Sequence, residues 1–248
     1  MIIVKSEREI EAMRRAGRLV AEIHRQLREA VRPGITTFEM DDLAERLTLE
    51  AGATPAFKGY RGYGYTVCAS VNDQVVHGVP NRRPLERGDI VSLDFGLLLE
   101  GFYGDAAFTL PVGKVTRETG ALLEAGEEAL RRGIAKATPK NRLYDIGAAI
   151  QRHAEGCGYS VVREYVGHGI GRALHEEPQV PNFGEENTGV RLRAGMVLAI
   201  EPMINQGGKE VRTLEDGWTV VTQDRSLSVH FEHTVAITEN GPEILTTL

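Results

Sequence analysis

Cysteine is scarce. Cys68 and Cys157 are the only two in 248 residues, and no C-x-x-C pair occurs. A disulfide framework is therefore excluded, and the usage fits a reducing compartment. Basic excess is missing too: 29 Lys and Arg stand against 35 Asp and Glu, a net charge of -6. That balance argues against a chain whose main partner is nucleic acid. No apolar run approaches the roughly 20 residues that a membrane span needs. The opening MIIVKSEREIEAMRRAG is charged within five residues and has no long apolar stretch, so it does not read as a signal peptide. No membrane partner is expected, and the chain reads as soluble and cytoplasmic. Linker tracts of Pro, Ser or Gly are absent as well, so residues 1–248 are expected to form a single domain. A chain of this length can bury roughly 70–75% of its unfolded surface without staples.

What is present is a plan that runs twice. Ser6 to Glu9 is an S-x-x-E capping box, and Ile10, Met13, Val20, Ile23, Leu27 and Ala30 follow at near-helical spacing. Pro33-Gly34 stops that helix. Thr36 to Glu39 opens a second one, whose stripe is Met40, Leu43, Ala44 and Leu47 and whose stop is Gly52. From about 64 to 112 short apolar runs such as IVSLDFGLLL, broken by Gly, Asn and Pro, read as strands and hairpins. The second half repeats this, with helices expected over 116–136 and 142–155 and strands from about 160 onward. Leu85-Glu-Arg-Gly88-Asp-Ile-Val-Ser-Leu-Asp94 aligns with Leu192-Arg-Ala-Gly195-Met-Val-Leu-Ala-Ile-Glu201. In both, an L-x-x-G turn feeds an apolar strand that ends in a carboxylate. The pattern predicts an α+β domain with an internal pseudo-two-fold, its halves at about 1–112 and 113–248, each with two helices and an antiparallel sheet segment.

A carboxylate closing a buried strand is costly unless it is paired or bound to a metal. Asp94, Asp105, Glu201 and Glu232 all sit in such places, and His77 and His168 stand between glycine and apolar residues. Taken singly, each is commonly a turn or cap residue. Jointly, each half supplies a His and two carboxylates. Four converging carboxylates would repel one another, and two divalent cations among them would remove the conflict. Oxygen ligands with an imidazole suit Mn, Fe, Co or Zn, and a metal pair can share a water and lower its pKa. Cys68 by itself reads as a small buried hydrophobe. Glu215-Asp216 reads as a solvated turn.

The motifs VNDQVVHGVP, GDIVSLDFG, GFYGDAAFT, GHGIGRALHEEP, LAIEPM and FEHTV, in this order, resemble the methionine aminopeptidases of the M24 metallopeptidases along nearly the whole chain. The resemblance implies the pita-bread fold, an antiparallel sheet covered by helices. It also implies a dinuclear site with ligands Asp94, Asp105, His168, Glu201 and Glu232. Asp105 and Glu232 would bridge, Asp94 would complete one ion, and His168 and Glu201 the other. His77 would meet the scissile amide nitrogen, and His175 the carbonyl oxygen, unless His175 serves instead to orient a ligand. Glu201 would double as a proton shuttle. A methionine pocket would fall on Phe57, Tyr60, Tyr63, Cys68 and Trp218, with plain core packing a rival reading for Trp218. Phe57 departs from the cysteine common there in bacterial relatives, which affects the pocket's shape and leaves it apolar. His233, by strand alternation, should face away from the ligands. Only 32 residues separate His168 from Glu201, which leaves no room for the type II insertion, and no Cys/His zinc-finger segment precedes the first helix. The pattern is that of a compact bacterial type I enzyme. It implies removal of N-terminal methionine from nascent polypeptides when the next residue is small. A monomer is expected, and such substrates would bring it near the ribosome. A proline-directed peptidase of the same fold, and a binding protein that has lost catalysis, are the competing readings.

Overall fold

A computed structural model describes all 248 residues, Met1 to Leu248. The first half runs α1 (Glu7–Ala30), α2 (Thr37–Glu50), β1 (Thr54–Pro55), β2 (Val67–Val71), β3 (Gln74–Val76), β4 (Ile90–Leu99) and β5 (Phe102–Pro111). The second runs α3 (Arg117–Ile134), α4 (Leu143–Gly156), β6 (Ser160–Val161), β7 (Gly167–Gly169), β8 (Glu176–Val180), β9 (Val197–Ile200), β10 (Met203–Asn205), β11 (Val211–Thr213), β12 (Val220–Thr222), β13 (Ser228–His230), β14 (Glu232–Thr238) and β15 (Gly241–Ile244). α1 and α2 start where the capping boxes place them, and α3 and α4 start within a residue of the expected 116 and 142. At α2 the box is reciprocal: Glu39 N–H donates to Thr36 Oγ1 at 3.1 Å, and Thr36 N–H donates to Glu39 Oε2 at 2.8 Å.

Nine strands form one sheet in the order β1-β4-β5-β14-β9-β7-β8, with β2 added on β4 and β15 on β14. The two halves join at its middle, where β5 pairs antiparallel with β14. The repeated L-x-x-G turns take the same backbone form. Gly88 and Gly195 have φ of 96° and 89°, in the left-handed region that favours glycine.

Strand alternation then divides the sheet into two faces. On one, Phe95 and Phe108 are buried with Val20, Ile23 and Leu27 of α1. In the second half, Leu122, Ile146 and Ile150 of the helix pair pack with Leu198 and Val235. These apolar layers fix the strands by burial, at about 25 cal/mol per Å² of apolar surface. The opposite face carries Asp94 and Ala107, the neighbours of Phe95 and Phe108 in sequence.

Candidate metal centre

The register brings the acidic residues together. Asp94 lies opposite Ala107, and Gly96 opposite Asp105, across β4 and β5. Ala107 is in turn opposite Glu232 on β14. His233 is opposite Ile200 of β9, so Glu201, the next residue, comes level with Glu232. His168 of β7 lies opposite Ala199, two residues before Glu201. Period-two alternation therefore puts Asp94, Asp105, Glu232, Glu201 and His168 on one face.

Their donor atoms converge. One atom each of Asp105, His168 and Glu232, all buried, lies within 4.8 Å of the others. His168 Nε2 is 3.6 Å from Glu201 Oε1 and 4.0 Å from Asp105 Oδ2. The opposite ring nitrogen, Nδ1, is 2.9 Å from the Gly169 carbonyl. A proton donated there leaves Nε2 as an electron-pair donor facing the carboxylates. The flanking glycines permit close approach. A Cβ at Gly167 would stand 2.3 Å from Ala199 O, and one at Gly169 2.2 Å from Glu177 O.

A cavity of about 170 Å³ opens over the cluster. All twelve residues singled out in the sequence line it: Phe57, Tyr60, Tyr63, Cys68, His77, Asp94, Asp105, His168, His175, Glu201, Trp218 and Glu232. Arg61 and Leu174 complete the wall. One end is apolar. Tyr63 and Trp218 pack edge to face with centroids 5.0 Å apart. The Tyr63 hydroxyl donates away from the cavity, with the Val67 and Gly78 carbonyls at 2.9 and 3.1 Å. Cys68 is opposite Asp94 across β2 and β4, and burial and that carboxylate push its thiol well above the usual range. It is thus a neutral, polarizable wall. At the mouth, exposed His175 stacks on Tyr60 at 5.2 Å and lies 4.2 Å from the His168 ring.

His77 occupies the left-handed region with φ of 58°, an uncommon place for a non-glycine side chain. Gly78 behind it has no room for a Cβ, which would stand 2.3 Å from Ala69 O. Burial pushes the His77 imidazole down to about 4, with His230 and His175 adding to the effect.

The carboxyls shift the other way. Burial raises Asp94 to about 7 and Glu201 to about 8. Asp105 and Glu232 lie well above their usual range through burial and mutual repulsion. Asp94 Oδ1, Asp105 Oδ1 and Glu232 Oε1 are buried without a hydrogen-bond partner. Buried acceptors are ordinarily satisfied, and charged ones are paired or bound to a metal. Divalent cations would satisfy these oxygens and remove the repulsion, so the residues fit a metal centre.

The family model for metallopeptidase family M24 matches residues 11–239. The chain belongs to metallopeptidase family M24. Methionine aminopeptidase of Clostridium perfringens is 55% identical over 246 residues, covering 99% of each chain. Methionine aminopeptidase 1 of Bacillus subtilis is 52% identical with the same coverage. The crystal structure of methionine aminopeptidase from Thermotoga maritima superposes with a TM-score of 0.98 at 47% identity, covering 100% of both chains. The fold of this M24 chain is accordingly the pita-bread fold.

Several residues around this M24 centre escaped the sequence reading. His230 is buried, and its Nε2 lies 3.6 Å from Glu201 Oε2 with no hydrogen-bond partner. Its position two before Glu232 on the same alternating run was a usable signal. Asn182 Nδ2 donates to the Glu201 carbonyl at 3.0 Å. It arrives from a loop, and no local pattern announces it. Asp216 lies in an exposed turn, as the sequence reading has it, and there accepts from Trp218 N and Thr219 N, each at 2.8 Å, which orients the Trp218 turn. His233 faces away as expected, with Nδ1 2.8 Å from Thr246 Oγ1.

Proposed function

We propose that this chain is a metal-dependent aminopeptidase that releases the N-terminal methionine of nascent peptides whose second residue is small. The observation that carries the reading is one cavity with two characters. An apolar end formed by Phe57, Tyr63, Cys68 and Trp218 adjoins the carboxylate and histidine cluster. A thioether side chain suits such a pocket. Seated there, it would bring the first peptide bond against the cluster.

In this reading Asp94, Asp105, His168, Glu201 and Glu232 would together hold two divalent cations (Mn, Co, Fe or Zn). Bound there, the cations supply Lewis acidity and lower the pKa of water. The protein side chains do the rest. The Glu201 carboxylate, beside the cations, would take a proton from water and return it. His77, uncharged near neutral pH, contacts the scissile amide nitrogen and relays to the departing amine the proton that Glu201 has taken. His175 donates to the scissile carbonyl oxygen as negative charge develops there. The Tyr60 and His175 stack crowds the mouth where the second residue would pass, which favours small ones.

The whole cavity is built by one chain, which supports a single catalytic domain that works as a monomer. Nascent substrates would be met in the cytoplasm, near the ribosome. No helix is long and apolar enough to cross a membrane.

The test is release of methionine from Met-Gly-Met-Met after complete chelation, with and without restored Mn or Co, beside an Xaa-Pro peptide. Release that requires the metal is expected. Activity that survives metal removal would contradict the reading. Cleavage of the Xaa-Pro peptide with neglect of Met-Gly would assign a proline-directed peptidase. A chain that binds no divalent metal and cleaves nothing would be a binding protein.

A further inference from the structure

Lys5 and Glu176 form the only Lys or Arg pair with a carboxylate in which both side chains are less than a tenth exposed. They are 3% and 6% exposed, with Nζ 2.7 Å from Oε2. A buried pair of this kind is weak evidence for stability, because desolvation offsets much of the attraction. Its location suggests another use. Glu176 directly follows His175, and its second oxygen, Oε1, accepts from the backbone N–H of Arg172 at 2.9 Å and of Ala173 at 3.2 Å. One carboxylate therefore ties both the turn before His175 and the strand start after it. Lys5 is itself fixed, since its N–H donates to Gly195 O at 2.7 Å. Its side chain passes over Gly171, where an added Cβ would stand 2.6 Å from Lys5 Cε.

We propose that Lys5 and Glu176 are positioning residues: the N-terminal segment reaches through this buried pair to hold the His175 loop at the cavity mouth. The inference rests on the role given above to His175. The His175 side chain is exposed and touches the rings of Tyr60 and His168 but makes no hydrogen bond, so its placement depends on the loop that carries it. A displacement of about 1 Å at a group acting on the transition state can cost up to about 100-fold in rate.

The test is a double-mutant cycle on Met-Gly-Met-Met turnover with the metal-loaded enzyme. Lys5→Met should lower kcat by about 10- to 100-fold, with KM changed little and metal content intact. In a His175→Ala background, Lys5→Met should lower kcat no further, because the group it positions is gone. Glu176→Gln keeps an oxygen for the two loop amides, so it should lose less kcat than Glu176→Ala. Losses that multiply in the His175→Ala background would overturn the inference alone. Wild-type turnover in His175→Ala would remove the role of His175 and the inference with it. Loss of fold or of bound metal in both Lys5→Met and Glu176→Gln would assign the pair to stability and overturn it as well.

Discussion

Gly96 faces Asp105 directly across the β4 and β5 pair, and a Cβ at Gly96 would stand 2.9 Å from Asp105 Oδ1. It would also stand 3.1 Å from Gly104 O and 3.2 Å from the Phe57 ring, so no neighbour can yield easily. Glycine here makes space for a carboxylate. Gly96→Ala should displace Asp105 and weaken Mn binding by about 10- to 100-fold, the usual cost of disturbing groups that orient a ligand. Titration calorimetry measures this, and unchanged affinity would show that Asp105 does not need the space.

Asp105 and His77 should part company under mutation. Asp105→Asn removes a charged oxygen from the centre of the cluster, and metal affinity should drop sharply. His77→Ala should leave metal occupancy intact while turnover falls by about 100- to 10,000-fold, the range for a lost proton donor. Metal analysis beside turnover separates the two. Metal loss in His77→Ala would move that residue among the ligands.

The buried carboxyls set a pH dependence whose sign is definite. In the metal-free protein Asp94 and Glu201 hold their protons up to about 7 and about 8 because they are buried, above their ordinary 3.8 and 4.5. The folded state then binds protons that the unfolded chain has released. Their contribution to stability is full below the ordinary carboxyl range and is lost as pH rises through about 7 to 8. Buried His77 and His168, lowered to about 4 and about 3, run the opposite way and weaken the fold as pH falls below 6.5. Between pH 8 and 7 the carboxyls dominate. The Tm of chelated protein should therefore rise as pH falls from 8 to 7. Metal must displace the same protons, so its affinity should fall over that interval. Calorimetry in two buffers of different ionisation enthalpy should show proton release on binding. A metal affinity independent of pH between 7 and 8 would contradict the assignment.

His230 is buried beside Glu201, with Nε2 3.6 Å from Oε2 and no hydrogen-bond partner of its own. His230→Leu should leave the fold intact and weaken divalent metal binding by about 10-fold or more. His230→Gln, which can present a donor in the same direction, should recover part of the loss. Equal affinities in the two variants would show that the ring only fills space.

The helices were legible in the sequence because capping residues and apolar spacing are local signals. Ser6 and Thr36 mark starts that the structure reproduces within a residue. The repeated L-x-x-G strand with a terminal carboxylate exposed the pseudo-symmetry, since period-two patterning survives without knowledge of partners. The meeting of Asp94 with Glu232 was not local at all. It depends on β5 pairing with β14 across the chain, and the family resemblance bridged that gap. Asn182 and the Lys5–Glu176 pair stayed hidden for the same reason. Each joins segments far apart in sequence, and neither leaves a periodic trace.

The central claim is that Asp94, Asp105, His168, Glu201 and Glu232 hold divalent metal inside the cavity that also receives methionine. Anomalous diffraction at the manganese edge, from crystals grown with Mn, tests it most directly. Anomalous density bounded by Asp105, His168 and Glu232 is the expected result. Anomalous density elsewhere on the molecule, with none between these three side chains, would contradict it.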